Sequence, residues 1–250
     1  MTEALADAAY HAPYSLVALA TTLWFAAIYT AIAGGAYWLA VAREPLAAPG
    51  PSARVARMRN GQVREELLLS VLSILIFATQ SVGMVWLLRA GILHISFDRP
   101  VYHLAWELPV LYLWNELHFY AVHRLLHWRP LYRRVHIWHH RSVVTTPFSA
   151  YCFHPVESFL LGTVMVFALA MHAFSFWGVL GLTIMSLLLN VGGHLPHERI
   201  RPAFAFAAAH SRYHNLHHRS FQAPFGFSLP LLDRWLSGRG SRPPAVPPHA

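Results

Sequence analysis

Histidine is concentrated in three short motifs between residues 123 and 218. His123 and His127 form an HxxxH pair, residues 136–140 (HIWHH) form an HxxHH motif, and residues 214–218 (HNLHH) repeat that motif 78 residues later. In a helix, residues three or four apart share one face, so each motif directs at least two imidazoles to one point. Neutral imidazole is a ligand for zinc, copper, iron and nickel. The spacing therefore predicts a metal site built from many histidines.

The number and order of these histidines favour two metal ions over one. The adjacent residues His139 and His140, like His217 and His218, diverge by about 100° around a helix and so suit two neighbouring ions. The eight motif histidines also exceed what a single zinc ion binds. The sequence lacks the HExxH motif of zinc metalloproteases, and its single cysteine, Cys152, excludes an intrachain disulfide, a cysteine-based zinc module and covalent haem attachment. A non-haem di-iron site fits this pattern best.

The composition is that of a membrane protein. Hydrophobic residues make up 56% of the 250 residues and charged residues only 12%, whereas a soluble domain has about 25% charged residues. Residues 14–42 and 67–88 carry no charge, and about 20 apolar residues span a bilayer as a helix. Residues 101–122 form a weaker third span, interrupted by acids and histidines. The uncharged residues 158–193 are long enough for a helical hairpin that turns near residues 172–178.

These segments predict an all-α, polytopic membrane helical protein with two N-terminal spans, a third span and a helical hairpin. We expect residues 1–100 to form an N-terminal membrane region, residues 101–240 to form the catalytic region, and the proline-rich residues 241–250 to be a disordered tail. The histidine motifs lie outside the two N-terminal spans, where they are expected to form a helical cap that holds a di-metal site.

Arginine sets the expected orientation, because all 19 basic side chains are arginine. Five lie within residues 43–64, five within residues 124–141 and seven from Arg199 onward, whereas the segment before Tyr14 has none. The positive-inside rule then places the histidine motifs on the cytosolic side of the membrane, which we expect to be a bacterial inner membrane. The basic excess is a topology signal on this interpretation, and no nucleic-acid partner is expected.

The histidine motifs belong to longer patterns. Residues 116–127 read acid-x-x-x-Tyr-x-x-His-Arg-x-x-His, residues 132–140 read Tyr-Arg-x-x-His-x-x-His-His, and residues 154–157 read His-Pro-x-Glu. Residues 190–194 place an asparagine and a histidine four apart before the last motif. With these patterns, residues 116–238 resemble the sterol desaturase/fatty acid hydroxylase superfamily of integral-membrane di-iron oxidases.

The resemblance implies an O2-dependent lipid hydroxylase or desaturase of the di-iron monooxygenase type, acting in lipid biosynthesis. Two iron ions would be the cofactor, O2 the co-substrate, and a sterol, isoprenoid or fatty acyl chain from the membrane the substrate. The sequence has no recognisable haem or flavin module, so electrons are expected from a separate cytochrome b5-like protein or from a ferredoxin with its reductase. The metal ligands that the resemblance implies are His123, His127, His136, His139, His140, His194, His214, His217 and His218.

Several polar residues beside the motifs are candidates to orient the ligands, because a ligating histidine usually donates its second N–H to a carboxylate or carbonyl. For the acids, the alternative is an interfacial ion pair with arginine. For Asn190, it is a hydrogen bond at a helix end in place of a water-mediated contact with the metal. The predicted orienting residues are Glu116, Glu157, Glu198, Asp233, Asn190 and His154, with His197 and His210 as candidate additional ligands.

Two other classes of protein remain open. A histidine-rich metal transporter would place its ligands at mid-membrane, yet residues 14–42 and 67–88 contain no histidine or carboxylate. A membrane protein with a structural metal site and no oxidase activity is the second alternative. Within the enzyme class, hydroxylation, desaturation and oxidative demethylation share these motifs, and hydroxylation is the simplest outcome.

Overall fold

The computed structural model describes residues 2–39, 58–195, 205–220 and 225–236. Within these ranges every regular element is a helix and no strand is formed. The all-α prediction is therefore confirmed. The predicted tail at residues 241–250 lies outside the described ranges.

The N-terminal region contributes two long apolar helices. Helix α1 (Thr2–His11) precedes α2 (Tyr14–Tyr37), which starts after the extended residue Pro13, and α3 spans Gln62–Arg89. Helix α3 begins after Gly61, whose φ of +76° lies in the left-handed region that favours glycine. Both α2 and α3 are long and apolar enough to cross a membrane, as their uncharged sequences predict.

Helix α4 (Leu104–Leu126) corresponds to the predicted third span. It is not among the helices that are apolar enough to be clear membrane spans, because acids and histidines interrupt it. It packs against both arms of the hairpin that follows. Helix α5 comes next and has three parts, namely α-helical Arg129–Leu131, π-helical Tyr132–His136 and α-helical Ile137–His140.

The predicted helical hairpin is present. Its arms are α6 (Pro155–Met171) and α7 (Phe176–His194), and residues 172–175 join them. The hydroxyl of Ser175 accepts a hydrogen bond from the backbone N–H of Gly178 at 2.9 Å and so caps the start of α7. Helix α7 is long enough to cross a membrane, whereas α6 is a shorter apolar helix.

The remaining described helices are α8 (Ala205–Ser220) and α9 (Leu231–Leu236). Helix α8 packs on α7, and a 3-10 turn at Pro147–Tyr151 packs on both α3 and α7. We call α5, this turn and α8 the cap. The cap lies over the ends of the long helices, as the sequence predicts.

Two apolar cores flank α7 and fix its position. One core includes Tyr29, Phe153 and Leu187, and the other includes Leu111 and Leu182. Large apolar side chains remain exposed on the outward faces of α2, α3 and α4. Such faces suit contact with lipid better than contact with water.

A buried carboxylate joins the membrane helices to the cap. Glu66, near the start of α3, is 1% exposed and accepts hydrogen bonds from the side chains of Gln62, Ser142, Thr146 and Ser149 at 2.6–2.8 Å. The last three donors lie 76–83 residues further along the chain. Glu66 therefore fixes the segment after α5 to α3.

We expect Glu66→Leu to destabilise the protein, because the buried hydroxyls of Ser142, Thr146 and Ser149 lose their carboxylate acceptor. The loss should be at least about 3 kcal/mol, which would lower the thermal unfolding midpoint by roughly 6 °C or more. Glu65→Leu is the matched control, since Glu65 is partly exposed and pairs with Arg59 and Arg141, and exposed ion pairs contribute less than about 1 kcal/mol. Equal midpoints for the two variants in detergent would contradict this role of Glu66.

Candidate metal centre

The structure gathers the nine predicted histidines into two adjacent groups. Within each group, one ring nitrogen of every histidine lies within 4.8 Å of the corresponding nitrogen of each other member. The larger group has five members and the smaller has four. The five-histidine group is His123, His127, His136, His140 and His217, and the four-histidine group is His139, His194, His214 and His218.

The adjacent histidine pairs divide between the two groups. His139 belongs to the four-histidine group and His140 to the five-histidine group, whereas His217 belongs to the five-histidine group and His218 to the four-histidine group. This is the separation expected from the divergence of about 100° between neighbouring residues of a helix. Each HxxHH motif therefore contributes to both groups.

Close packing of α8 on α7 brings the last motif to His194. A Cβ atom on Gly193 would lie 3.1 Å from Nε2 of His210 and 3.3 Å from Cγ of His214, which is tighter than most side chains allow. Glycine at this position lets α8 approach α7 closely. As a result, Nε2 of His214 lies 3.2 Å from Nε2 of His194.

The protonation of two imidazoles in the four-histidine group follows from their hydrogen bonds. Nδ1 of His194 donates to the carbonyl of Asn190 at 2.7 Å, and Nδ1 of His139 donates to the carbonyl of Cys152 at 3.3 Å. Since a carbonyl oxygen only accepts, both protons are on Nδ1, and each neutral ring has a bare lone pair at Nε2. These two lone pairs lie 3.4 Å apart and repel each other unless a cation binds both. The donor set therefore fits a metal ion.

The five-histidine group is oriented in the same way. Nδ1 of His123 donates to the carbonyl of Phe225 at 2.9 Å, and Nδ1 of His136 donates to Oε1 of Glu157 at 2.8 Å. Nε2 of His136 lies 3.2 Å from Nε2 of His140. Hydrogen bonds of this kind set the ring orientation of metal ligands and raise their basicity. Of the predicted carboxylates in the described residues, Glu157 is the one that contacts a motif histidine in this manner.

Burial keeps the cap histidines neutral. It holds the pKa values of His136, His139, His214 and His218 well below the usual range, and the neighbouring imidazoles lower them further. Neutral imidazole is the form that binds a metal ion. No proton has to leave these side chains before they ligate.

A small cavity of about 10 Å3 lies between the two groups, which is room for roughly one water molecule. Its polar lining includes histidines of both groups together with Glu157 and Asn190. The rest of its lining is apolar and consists of Phe119, Leu126, Phe153 and Leu161.

Glu116 and Asp233 contact a loop instead of the histidines. The carboxylate of Asp233 accepts from the backbone N–H groups of Phe225 and Gly226 at 2.9 and 2.7 Å. Glu116 accepts from the backbone and the hydroxyl of Ser228. Both acids thus hold the loop whose Phe225 carbonyl receives a hydrogen bond from the five-histidine group. The two acids therefore act on the histidines through this loop, whereas the sequence predicts direct contact with them.

Asn190 and His154 also have defined partners. The side-chain amide of Asn190 donates to the carbonyl of Ala150 at 2.7 Å, while the backbone carbonyl of Asn190 accepts a hydrogen bond from His194 and orients its ring. Nδ1 of His154 accepts from the backbone N–H of Val156 at 3.1 Å and caps α6. Asn190 therefore supports the four-histidine group through its backbone, and His154 shapes the start of a helix.

Of the two candidate additional ligands, His210 is described and is not part of either group. It is buried, and its Nε2 donates to the carbonyl of Leu189 at 2.8 Å. His197 and the predicted orienting residue Glu198 lie outside the described residues. Sequence reasoning missed the carbonyls of Cys152 and Phe225, because a backbone acceptor leaves no signature in the residue type.

Substitution of the adjacent residues His217 and His218 should affect different metal ions. We expect His217→Ala to lower the metal affinity of one site and His218→Ala to lower that of the other. Each loss should be at least roughly 10–100-fold, which is the effect of removing only a hydrogen-bond partner of a ligand. The larger loss is expected for His218→Ala, whose group falls to three imidazoles. Titration of the purified protein with Co2+, with the exposed His11→Ala as control, measures both sites. Loss of the same site in both variants would exclude the division into two groups.

Removal of the acceptor at Glu157 should weaken the five-histidine group specifically. Glu157→Leu is expected to lower its metal affinity by roughly 10–100-fold, because His136 then loses the hydrogen bond that orients it. Glu157→Gln keeps an oxygen acceptor and should lower the affinity less. Chelator competition gives both affinities, and equal effects of leucine and glutamine would rule out orientation by hydrogen bonding.

Comparison with known proteins agrees with this geometry. The fatty acid hydroxylase family model matches residues 108–237, which is just over half of the chain and includes all nine grouped histidines. No curated protein and no solved structure gives a significant match. On the strength of the family match, the chain belongs to the fatty acid hydroxylase family, within the sterol desaturase/fatty acid hydroxylase superfamily.

Proposed function

We propose that this protein is a membrane-bound non-haem di-iron oxygenase that hydroxylates, or desaturates, an unactivated C–H bond of a lipid. The observation that carries the proposal is the pair of histidine groups beside one cavity that apolar side chains also line. Apolar side chains beside metal ligands provide the surroundings that a C–H substrate requires.

Two iron ions are the metals we propose for this site. Both groups offer only imidazole nitrogen to a metal, and imidazole suits iron, among other transition metals. The rings of His140 and His218, which belong to different groups, have centroids 4.8 Å apart, so two ions would be close neighbours. When bound, such an iron pair supplies the reductive activation of O2.

The described residues have three tasks in this reaction. The histidine groups hold the metals, and the carbonyls of Asn190, Cys152 and Phe225, together with Glu157, keep their rings in place. The apolar side chains that line the cavity would position the reacting carbon and exclude water. For hydroxylation, one O2, two electrons and two protons convert the C–H bond to C–OH and release one water molecule.

The substrate class follows from the surroundings of the site. The helices that carry the site pack with helices long enough to cross a membrane, so we propose a substrate drawn from the bilayer: a sterol or other isoprenoid, or a fatty acyl chain. We further propose that the cap faces the cytosol, since Arg124, Arg129 and Arg133 are exposed near it.

The electron donor is proposed to be a separate cytochrome b5-like protein or a ferredoxin with its reductase. Exposed arginines suit an acidic donor, although they also serve as orientation signals or contacts with anionic lipid. Salt-sensitive turnover with a purified donor, at unchanged membrane association, would support docking. Turnover that does not respond to salt would exclude it.

Comparative lipid mass spectrometry tests the proposed function. A host that makes the intact protein should accumulate a lipid heavier by about 16 mass units if the reaction is hydroxylation, or lighter by about 2 if it is desaturation. His139→Ala should abolish the product, because it removes a member of the four-histidine group, while His11→Ala should preserve it. Metal uptake without any new lipid would favour a transporter, and bound metal with neither uptake nor new lipid would favour a structural site.

A further inference from the structure

An amide group is buried in the apolar interior between α4 and α7. Asn115 of α4 is 4% exposed, and its Oδ1 accepts a long hydrogen bond of 3.4 Å from the hydroxyl of Ser186 on α7. Its Nδ2 is buried and has no hydrogen-bond partner in the part of the chain that the structure describes. One turn earlier on each helix lie Leu111 and Leu182 of an apolar core.

Such an unpaired donor is unfavourable in this setting. A buried N–H without an acceptor costs about 1–3 kcal/mol, and the membrane interior has no bulk water to supply one. A leucine at position 115 would fill the same space without that penalty. Polar side chains within membrane helices commonly mark functional sites. The amide therefore needs an explanation beyond packing.

Asn115 lies one helical turn from residues that line the cavity of the metal centre. It precedes Phe119 by four residues, and Ser186 precedes Asn190 by four residues, so each pair shares one helix face. Phe119 and Asn190 both line the cavity between the histidine groups. Asn115 thus lies one helical turn, about 6 Å along the axis, from the cavity on the side away from the cap.

We propose that the Nδ2 amide of Asn115 binds an acceptor oxygen of the lipid substrate and thereby selects which carbon reaches the cavity. This inference rests on the proposed function. The substrate would carry a hydroxyl, carbonyl or ether oxygen separated from the oxidised carbon by roughly four or five chain bonds, the number that spans one helical turn. The oxygen would lie deeper in the membrane than the reacting carbon. A plain hydrocarbon would leave the amide unpaired.

A competing role for Asn115 is purely structural. Polar side chains between membrane helices can stabilise their association through hydrogen bonds. The single contact to Ser186 is long and leaves the donor nitrogen unused, so it contributes little. The two roles predict opposite effects on stability. A structural contact would make Asn115→Leu less stable, whereas substrate recognition predicts an unchanged or higher unfolding midpoint.

Binding of two matched probes to the full, metal-loaded protein in lipid nanodiscs tests the proposal. Hexadecan-6-one offers an acceptor oxygen within the chain, and hexadecane has the same length without one. We expect the protein to bind the ketone roughly tenfold more tightly than the alkane after correction for protein-free nanodiscs, which is the effect of one hydrogen bond. Asn115→Leu should bind both probes equally, and Ser186→Ala should keep the preference.

Three results would overturn the inference. They are equal binding of the two probes by the unaltered protein, an equal loss of both probes in Asn115→Leu, and a lower unfolding midpoint of Asn115→Leu with the preference retained. Asn115→Gln, which keeps the amide, should retain part of the preference and guards against misfolding of the leucine variant. The measurement needs neither O2 nor a reductant. An absence of lipid oxidation in the host would therefore refute the proposed function while leaving the binding result to stand on its own.

Discussion

The hydrogen bond at Nδ1 of each oriented histidine is the interaction on which the rest of the site depends. A neutral imidazole has one N–H and one lone pair, so fixing the proton on Nδ1 aims the lone pair of Nε2 at the interior of the group. The acceptors come from different parts of the chain: Asn190 on α7, Cys152 after the 3-10 turn, Phe225 before α9 and Glu157 on α6. The fold is the means by which these acceptors meet the histidines.

Residues outside the histidine groups hold some of these acceptors in place. Glu66 ties the segment that leads to Cys152 to a membrane helix, and Asp233 holds the loop that presents the Phe225 carbonyl. Gly226 permits this loop to turn tightly, because a Cβ there would lie 2.6 Å from the carbonyl oxygen of Leu229. Two of the four acceptors, the carbonyls of Cys152 and Phe225, are thus held from outside the metal groups. A change far from the histidines can misalign a ligand without touching it.

The sequence predicts the parts of this structure that leave a periodic or local pattern. Uncharged runs predict the long helices, and the adjacent pair His139 and His140 predicts the division into two groups, because both follow from helix geometry. Partners distant in sequence have no such pattern. Glu66 is indistinguishable from Glu65 by type, and a carbonyl acceptor such as that of Cys152 is common to every residue. The residue type of His210 likewise does not say whether it is a ligand, since only the packing of α8 on α7 turns its ring to the carbonyl of Leu189.

The division of each HxxHH motif between the two groups links the metal sites mechanically. Two metal ions would each link α5 to α8, and two links would prevent the helices from rotating relative to each other as well as from separating. The first ion to bind would fix the backbone of both motifs and so prearrange the histidines of the second site. A substitution in one group would therefore weaken its own site most and the neighbouring site to a smaller degree.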